Sequence, residues 1–246
     1  MQVEPFRWRP SGTYLAHLWK AVTQQHHKAL LPALRRLVPR DAVIFDVGAH
    51  AGQFAKLFAG LAPDGRVWSF EPGSYARSIL RVALWLNGIR NVSVVPMALG
   101  ETAGVATLSV PVKRPGSYGF GLAHLGAAET RWQLVAAEAI ALATIDGFAA
   151  AQAIDRLDFI KADVEGWEAA MLRGGLATLR RLKPRLLLEL DGQHLERAGD
   201  TLDGAFALLA GLGYRPFTLD AADRLVPLPA PASGDVWWLP PGDPLG

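Results

Sequence analysis

The chain has 246 residues, 25 of them basic and 23 acidic for a net charge of +2, and half are apolar. That composition supports a sizeable buried core and excludes wholesale disorder, while the balanced charge argues against a nucleic-acid binder. Cysteine is absent, which excludes disulfide frameworks, thiol nucleophiles and thiolate zinc sites. No stretch approaches the roughly 18–20 uncharged apolar residues of a membrane-spanning helix, and no apolar run follows a basic head at the N-terminus. The expectation is a soluble, cytoplasmic protein.

Residues 1–40 hold seven basic side chains against Glu4 alone, with Trp8, Tyr14 and Trp19 interleaved. Leu15, Leu18, Trp19 and Val22 fall at i, i+3, i+4, i+7 and predict a helix that buries this face. A second helix is expected to end near Val38, because Pro39 disfavours helix at the residue before it. The segment reads as an N-terminal helical cap over 1–40 on a domain spanning 41–246, with His26 and His27 on a helix surface. Contact with an acidic acceptor or a membrane surface is the alternative use of this segment.

From residue 42 strands alternate with helices. The run Ala42 to Val47 is continuously apolar apart from Asp46, as in a strand covered on both faces. A glycine turn follows, then a helix with Phe54, Leu57, Phe58 and Leu61 on one side. Arg66–Phe70 is the second strand, Ser74 an N-cap for a helix to about Asn87, and Asn91–Pro96 the third strand. Val105–Val110 alternates, whereas 111–135 reads as a long glycine-bearing loop of the functional kind. Asp158–Asp163 and Arg185–Leu190 are the fourth and fifth core strands. A helix over about 201–211, a strand near Tyr214–Leu219 and a last strand Asp235–Leu239 follow. The pattern predicts an α/β, Rossmann-like, doubly wound and mostly parallel sheet.

Ligands of such sheets lie beyond the carboxyl ends of the strands, so the residues just past each strand carry the functional signal. After the first strand, Gly48 and Gly52 let the backbone turn sharply beside the free N–H groups of the next helix. Glu71 ends the second strand 25 residues beyond Asp46, near the spacing of about 20 at which an acid binds ribose hydroxyls. Asp163, Glu165 and Glu168 crowd the fourth strand end, with Lys161 as an internal partner; Glu189, Asp191 and His194 follow the fifth. Like charges this close need cations, a metal or a ligand amine to offset them. Asp163 and Glu189 are the candidate ligands for a divalent cation such as magnesium.

These residues, taken in order, resemble the FkbM type of class I S-adenosylmethionine-dependent methyltransferase. The likeness runs from about Val43 to Leu219. It rests on Phe45-Asp46-Val47-Gly48-Ala49-His50-Ala51-Gly52, Phe70-Glu71-Pro72, Asn91-Val92 leading to Ala98-Leu99-Gly100, Ala143-Thr144-Ile145-Asp146, Asp158 through Gly166, and Pro184 with Leu186–Glu189. His50 stands where such families commonly carry Asn, and Ala162 where a larger aliphatic is usual. The resemblance implies a seven-stranded sheet with an antiparallel last strand, and transfer of a sulfonium methyl to a hydroxyl of a sugar, glycan or secondary metabolite. The cofactor-binding set it implies is Asp46, Gly48, Ala49, His50, Gly52, Glu71, Pro72, Met97, Ala98 and Asp163.

An alcohol acceptor needs a proton acceptor as its oxygen attacks. Asp163, His194 and Glu165 are the catalytic candidates, with Glu168 an acceptor or metal contact. Trp8, Trp19 and Trp132 suit the faces of a sugar or flat metabolite, and Arg114 and Arg131 suit an anionic group. Residues 1–40 and 111–135 together are expected to form a lid on the acceptor site. Two rival readings share the sheet: an NAD-dependent oxidoreductase, disfavoured by the missing Gly-x-Gly-x-x-Gly, and a non-catalytic nucleotide-binding module.

Overall fold

A computed structural model describes residues 2–5, 11–114, 117–118, 124–125 and 134–245, with side chains over 11–110 and 137–245. The chain opens with β1 (Gln2–Pro5) and α1 (Gly12–Thr23), then a single 3₁₀ turn at Lys28–Leu30 leads into α2 (Leu31–Leu37). Strand and helix alternate through β2 (Val43–Val47), α3 (Gln53–Leu61), β3 (Arg66–Phe70), α4 (Ser74–Leu86) and β4 (Val92–Val95). Next come β5 (Met97–Leu99), β6 (Gly104–Arg114), β7 (Ser117–Tyr118), β8 (His124–Leu125) and β9 (Leu134–Ala143). Alternation resumes with α5 (Ile145–Ala151), β10 (Phe159–Ala162), α6 (Glu168–Arg173), α7 (Leu176–Leu182), β11 (Arg185–Leu190), α8 (Gly192–Arg197) and α9 (Leu202–Gly211). The last strands are β12 (Arg215–Leu219), β13 (Leu225–Pro227) and β14 (Gly234–Leu239).

The central sheet has the order β13-β12-β14-β11-β10-β2-β3-β4. Strands β4, β3, β2, β10 and β11 are parallel, and β14 inserts antiparallel between β11 and β12. The expected doubly wound sheet with an antiparallel last strand is therefore present. Among the described residues it has eight strands rather than seven, because β13 folds back on the edge strand β12.

Helices cover both faces, which explains the continuous apolar runs of the inner strands. On one face α2 and α3 bury Leu34, Leu37, Leu57 and Phe58 against Ile44, Phe159, Leu187 and Trp237. On the other, α5, α6, α7 and α9 bury Phe148, Met171, Leu179 and Phe206 against Phe45, Ile160, Leu188 and Trp238. Strand order reverses between β2 and β10, which places the ligand crevice at their carboxyl ends.

Four local expectations need correction. The face of α1 that is buried carries Tyr14 and Ala21, while Leu15 and Trp19 stand in solvent at 62% and 69% exposure. The apolar spacing is real, and Leu18 and Val22 of the stripe do pack on Tyr75, Ile79 and Ala83 of α4, but the buried face is centred on Tyr14 and Ala21 and leaves Leu15 and Trp19 out. Ser74 is the first residue of α4 and Gly73 its N-cap; the Ser74 N–H is held by the Glu138 carboxylate instead. His26 and His27 lie in the link before the 3₁₀ turn, with the His27 ring stacked 4.5 Å from that of Phe54. Finally, residues 1–40 and 111–135 also supply strands. In a second sheet β9 pairs with β6, β1 and β5, while β7 and β8 pair with β6.

Candidate functional site

Strands β2 and β3 end in register, Val47 opposite Phe70, so the turn after β2 adjoins Glu71. At Gly48 the backbone has φ +76°, and an added Cβ would overlap the carbonyl oxygen of Asp163. Only glycine lets the β2 turn and the β10 end pack this closely. His50 also adopts left-handed geometry, with φ 46°, a region that Asn and His enter more readily than most side chains. This turn aims the His50 N–H at Glu71 Oε2, 2.7 Å away, and the Gly73 N–H reaches Oε1 at 2.8 Å. Glu71 is buried, and that burial pushes its carboxyl up to about 7, although both backbone donors favour the charged form.

Beside Glu71 opens a cavity of about 300 Å³. Of the expected cofactor residues, Gly48, His50, Glu71, Pro72, Ala98 and Asp163 line it. The His50 ring reaches solvent through the opening, yet the protein around it lowers its pKa by desolvation, with Asp163 opposing. Asp46, Ala49, Gly52 and Met97 do not line the cavity. Asp46 is fully buried behind the turn, where Oδ2 accepts from Ser69 Oγ at 3.1 Å and Oδ1 has no partner among the described residues. Burial raises its carboxyl to about 6 against the opposing charge of Lys161. Ala49 packs with Leu80 and Leu84, Gly52 precedes α3 against Leu80, and Met97 leans on the core.

The opposite wall comes from elements whose role the motifs do not announce. Leu108 and Val110 of β6 and Glu138 of β9 line it with Tyr75 of α4. The Tyr75 hydroxyl meets His17 Nδ1 of α1 at 2.8 Å, which ties the N-terminal helix to the cavity. Glu138 interrupts an alanine-rich run, and a lone acid there is the only sequence signal for it.

At the ends of β10 and β11 a second group of acids gathers. Register sets Asp163 beside Glu189, and Glu189 opposite Asp235 of β14. The buried Lys161 ammonium, 3.3 Å from Asp163 Oδ2, lies 4.7 Å from the Phe54 ring centre and beside Asp46. Glu189 is pushed up to about 7, first by desolvation and then by the charges of Asp163 and Asp235; a hydrogen bond with Asp163 adds to the rise. Asp235 is exposed at the rim, but its carboxyl too is raised, first by desolvation, while Lys161 and His27 oppose. Lys161 thus offsets part of the crowding, and the raised Glu189 and Asp235 carboxyls relieve more of it. The donor set does not fit the magnesium expectation for Asp163 and Glu189: among the described residues no three His, Asp or Glu side chains converge on one point.

Glu165 lines the cavity and its Oε2 lies 2.9 Å from Nδ1 of His194 on α8. The loop that brings them together is tight: Gly166 has φ +103°, and a Cβ there would overlap the His194 carbonyl. Glu168 does not reach the cavity. It is buried under this loop, accepts from the Val164 N–H at 2.9 Å and the Gly166 N–H at 3.4 Å, and burial raises it to about 7. Asp191 caps α8 by accepting from the His194 N–H. Trp8, Arg131, Trp132 and the Arg114 side chain lie outside the described residues, and with them most of the segment 111–135 of the expected lid.

Comparison with curated proteins returns no match. Among solved structures, an FkbM methyltransferase from Methylobacillus flagellatus is 17% identical, with a TM-score of 0.50. The match covers 92% of this chain and 59% of that one, so this chain spans well under two thirds of its length. A putative rRNA-methylase from Clostridium thermocellum is 10% identical over 87% of this chain and 94% of its own, also with a TM-score of 0.50. A putative methyltransferase from Streptococcus mutans in complex with SAH is 13% identical over 87% and 96%, with a TM-score of 0.47. The family model for the methyltransferase FkbM domain matches residues 46–216, from within β2 to the start of β12. This chain belongs to the FkbM methyltransferase domain family.

Proposed function

We propose that this protein is an S-adenosylmethionine-dependent methyltransferase acting on a hydroxyl oxygen of a sugar, glycan or secondary metabolite. Glu71 carries the reading. Two backbone N–H groups fix its carboxylate at the cavity of the switch point, and each oxygen keeps a lone pair for a ribose hydroxyl. Gly48 leaves the close backbone approach that such a cofactor needs, and Asp163 offers a carboxylate for its amino group. When bound, the cofactor supplies an electrophilic methyl that an acceptor oxygen displaces in line.

The chain's own part is to hold the acceptor and take its proton. Glu165 accepts from Nδ1–H of His194, which selects the tautomer that leaves Nε2 as a proton acceptor. In this reading His194 is the base, Glu165 orients it, and Asp163 stands on the cofactor side. Residues 1–40 form a cap, and the enzyme works in the cytoplasm. The family membership favours this reading over an NAD-dependent oxidoreductase.

Calorimetry should give S-adenosylhomocysteine a Kd on the order of micromolar and NAD no measurable binding. Turnover with methyl-labelled cofactor and a panel of sugar and phenolic acceptors should then give a label that survives alkali, as a methyl ether does. Label found on RNA or on nitrogen would overturn the hydroxyl acceptor. Binding of NAD alone would overturn the cofactor.

A further inference from the structure

Along the rim of the central sheet the strand order runs β10, β2, β3, β4, so Asp163 and Glu71 stand two strands apart, about 10 Å at the usual strand spacing. In the reading above these acids take the amino group and the ribose of the cofactor. Its third part, the adenine, then continues past Glu71 in the same direction, toward β4. There the rim changes character. After Pro96 alone the chain passes from β4 into β5, which joins the second sheet by pairing with β9. The cavity wall on this side is Ala98 and Leu99 of β5 with Leu108 and Val110 of β6.

One acid interrupts this apolar wall. Leu108, Val110 and Ile140 pack with Ala98 into one cluster. Glu138 stands directly across the ladder from Leu108 and two residues from Ile140, so it shares their face, and it lines the cavity. A carboxylate set among apolar side chains needs a hydrogen-bond partner. Glu138 has the Ser74 N–H of α4, 3.0 Å from one oxygen and 3.1 Å from the other. A single donor shared between two oxygens leaves each able to accept again. The preceding N–H, that of Gly73, is held by Glu71. The two acids are thus fixed on consecutive peptide donors at one cavity. A carboxylate that only capped α4 could be sealed over, whereas Glu138 is half-buried and open to the cavity.

We propose that Glu138 accepts a hydrogen bond from the exocyclic amino group of adenine and so sets the base specificity of the cofactor site. The inference rests on the cofactor reading above. That cofactor offers four kinds of polar hydrogen: its ammonium, two ribose hydroxyls and the adenine amino group. Asp163 is placed for the first, and the free lone pairs of Glu71 for the hydroxyls. Glu165 is engaged by His194 at 2.9 Å. Among the described residues that line the cavity, Glu138 is the carboxylate left for the amino group. Its apolar surroundings suit the faces of a purine, with one placed acceptor to fix orientation. A site built to accept from an amino group rejects a ligand without it, because its buried acceptor loses that partner.

The test compares two ligands by calorimetry on the full chain: S-adenosylhomocysteine and its deamino analogue, whose purine carries hydrogen in place of the amino group. The parent chain should prefer the first by about tenfold or more, the usual worth of a hydrogen bond to a charged group. Glu138→Leu should bring the two affinities within about twofold of each other, since no acceptor remains. Glu138→Gln keeps an oxygen for the Ser74 N–H and the amino group, and should retain part of the preference. Glu71→Ala should weaken both ligands alike and leave their ratio intact. Equal affinity of the parent chain for both ligands would overturn the proposal, and that comparison needs no variant. So would a preference that survives Glu138→Leu with both ligands weakened alike, the signature of a helix cap and nothing more. Either result leaves S-adenosylhomocysteine binding, and with it the cofactor reading, standing. Absence of binding to the parent chain would overturn the cofactor reading and this assignment together.

Discussion

Two groups of carboxylates stand on the same rim of the central sheet and are stabilised in different ways. Glu71, at the end of β3, has its charge met by two backbone N–H groups whose positions are fixed by the turn after β2. Asp163 and Glu189, at the ends of β10 and β11, face each other, with Lys161 beside Asp163 and the Glu189 carboxyl raised. Backbone donors cannot swing away, so Glu71 is a preorganised acceptor with fixed geometry. Side-chain partners can rearrange, so the geometry of the second group is set by charge balance. Both groups hold a carboxyl raised to about 7, so they differ in rigidity rather than in response to pH, and the rigid one suits recognition of a constant ligand part.

The largest effect should come from breaking the geometry that makes Glu71 rigid. Gly48→Ala forces a Cβ into the Asp163 carbonyl in a left-handed conformation that itself costs about 1–2 kcal/mol. Calorimetry should find S-adenosylhomocysteine binding reduced by about a hundredfold or more, by the arithmetic of roughly 1.4 kcal/mol per tenfold. Retained affinity would show that the turn is not part of the cofactor site. His194→Ala should lower methyl transfer by roughly 10²–10⁴-fold, the usual worth of a general base, with cofactor affinity unchanged. Equal losses in both measurements would move His194 from base to cofactor contact.

Much of the first group was legible in the sequence because it depends on backbone. A strand ending in register with its neighbour, a glycine turn and an acid 25 residues on leave little freedom for where Glu71 sits. The second group was legible as crowding but not as partnership. Lys161 was visible as an internal partner, yet Asp235 comes from β14, 46 residues beyond Glu189, and only the antiparallel insertion of that strand brings it near. The far wall was not legible. Leu134–Ala143 is rich in alanine, a helix former, and becomes β9 only through pairing with β6, β1 and β5. That pairing carries Glu138 to the cavity. The α1 stripe was half right for a related reason: Leu18 and Val22 pack on α4, but the partner helix centred the buried face on Tyr14 and Ala21 and left Leu15 and Trp19 out.

Effects of intermediate size sharpen the Glu71 side of the contrast. Glu71→Ala should weaken S-adenosylhomocysteine at least tenfold, since a lost pair of charge-assisted bonds is worth on the order of 1.5–3 kcal/mol. With its carboxyl raised to about 7 in the free protein, the charged acceptor is fully present only above that pH. Affinity should therefore increase as pH rises from 6 to 8, with proton release on binding that scales with buffer ionisation enthalpy. Glu71→Gln should remove this dependence. A pH-independent affinity in the parent chain would break the assignment of the ribose to this carboxylate.

The smallest effect concerns Glu189 and tests the other half of the comparison. Its carboxyl rises from 4.5 to about 7 on folding, so the native chain binds this proton more tightly than the unfolded one. The stability that this protonated form contributes is fully present below pH 4.5 and is lost as pH rises through about 7. Glu189→Gln keeps a neutral side chain that can still donate to Asp163, and Asp163 keeps Lys161. Urea unfolding midpoints measured at pH 5 and pH 8 should therefore fall less steeply with pH in the variant than in the parent chain. Glu71 and Glu168 are raised with the same sign, so the slope is reduced rather than abolished, and the difference is modest because Glu189 is partly open to solvent. Glu71→Gln should behave in the opposite way. Its amide nitrogen would face one of the two backbone N–H donors, leaving a buried donor unpaired and lowering stability at both pH values. Parallel pH slopes for Glu189→Gln and the parent would mean that the Glu189 carboxyl is not raised in the folded chain.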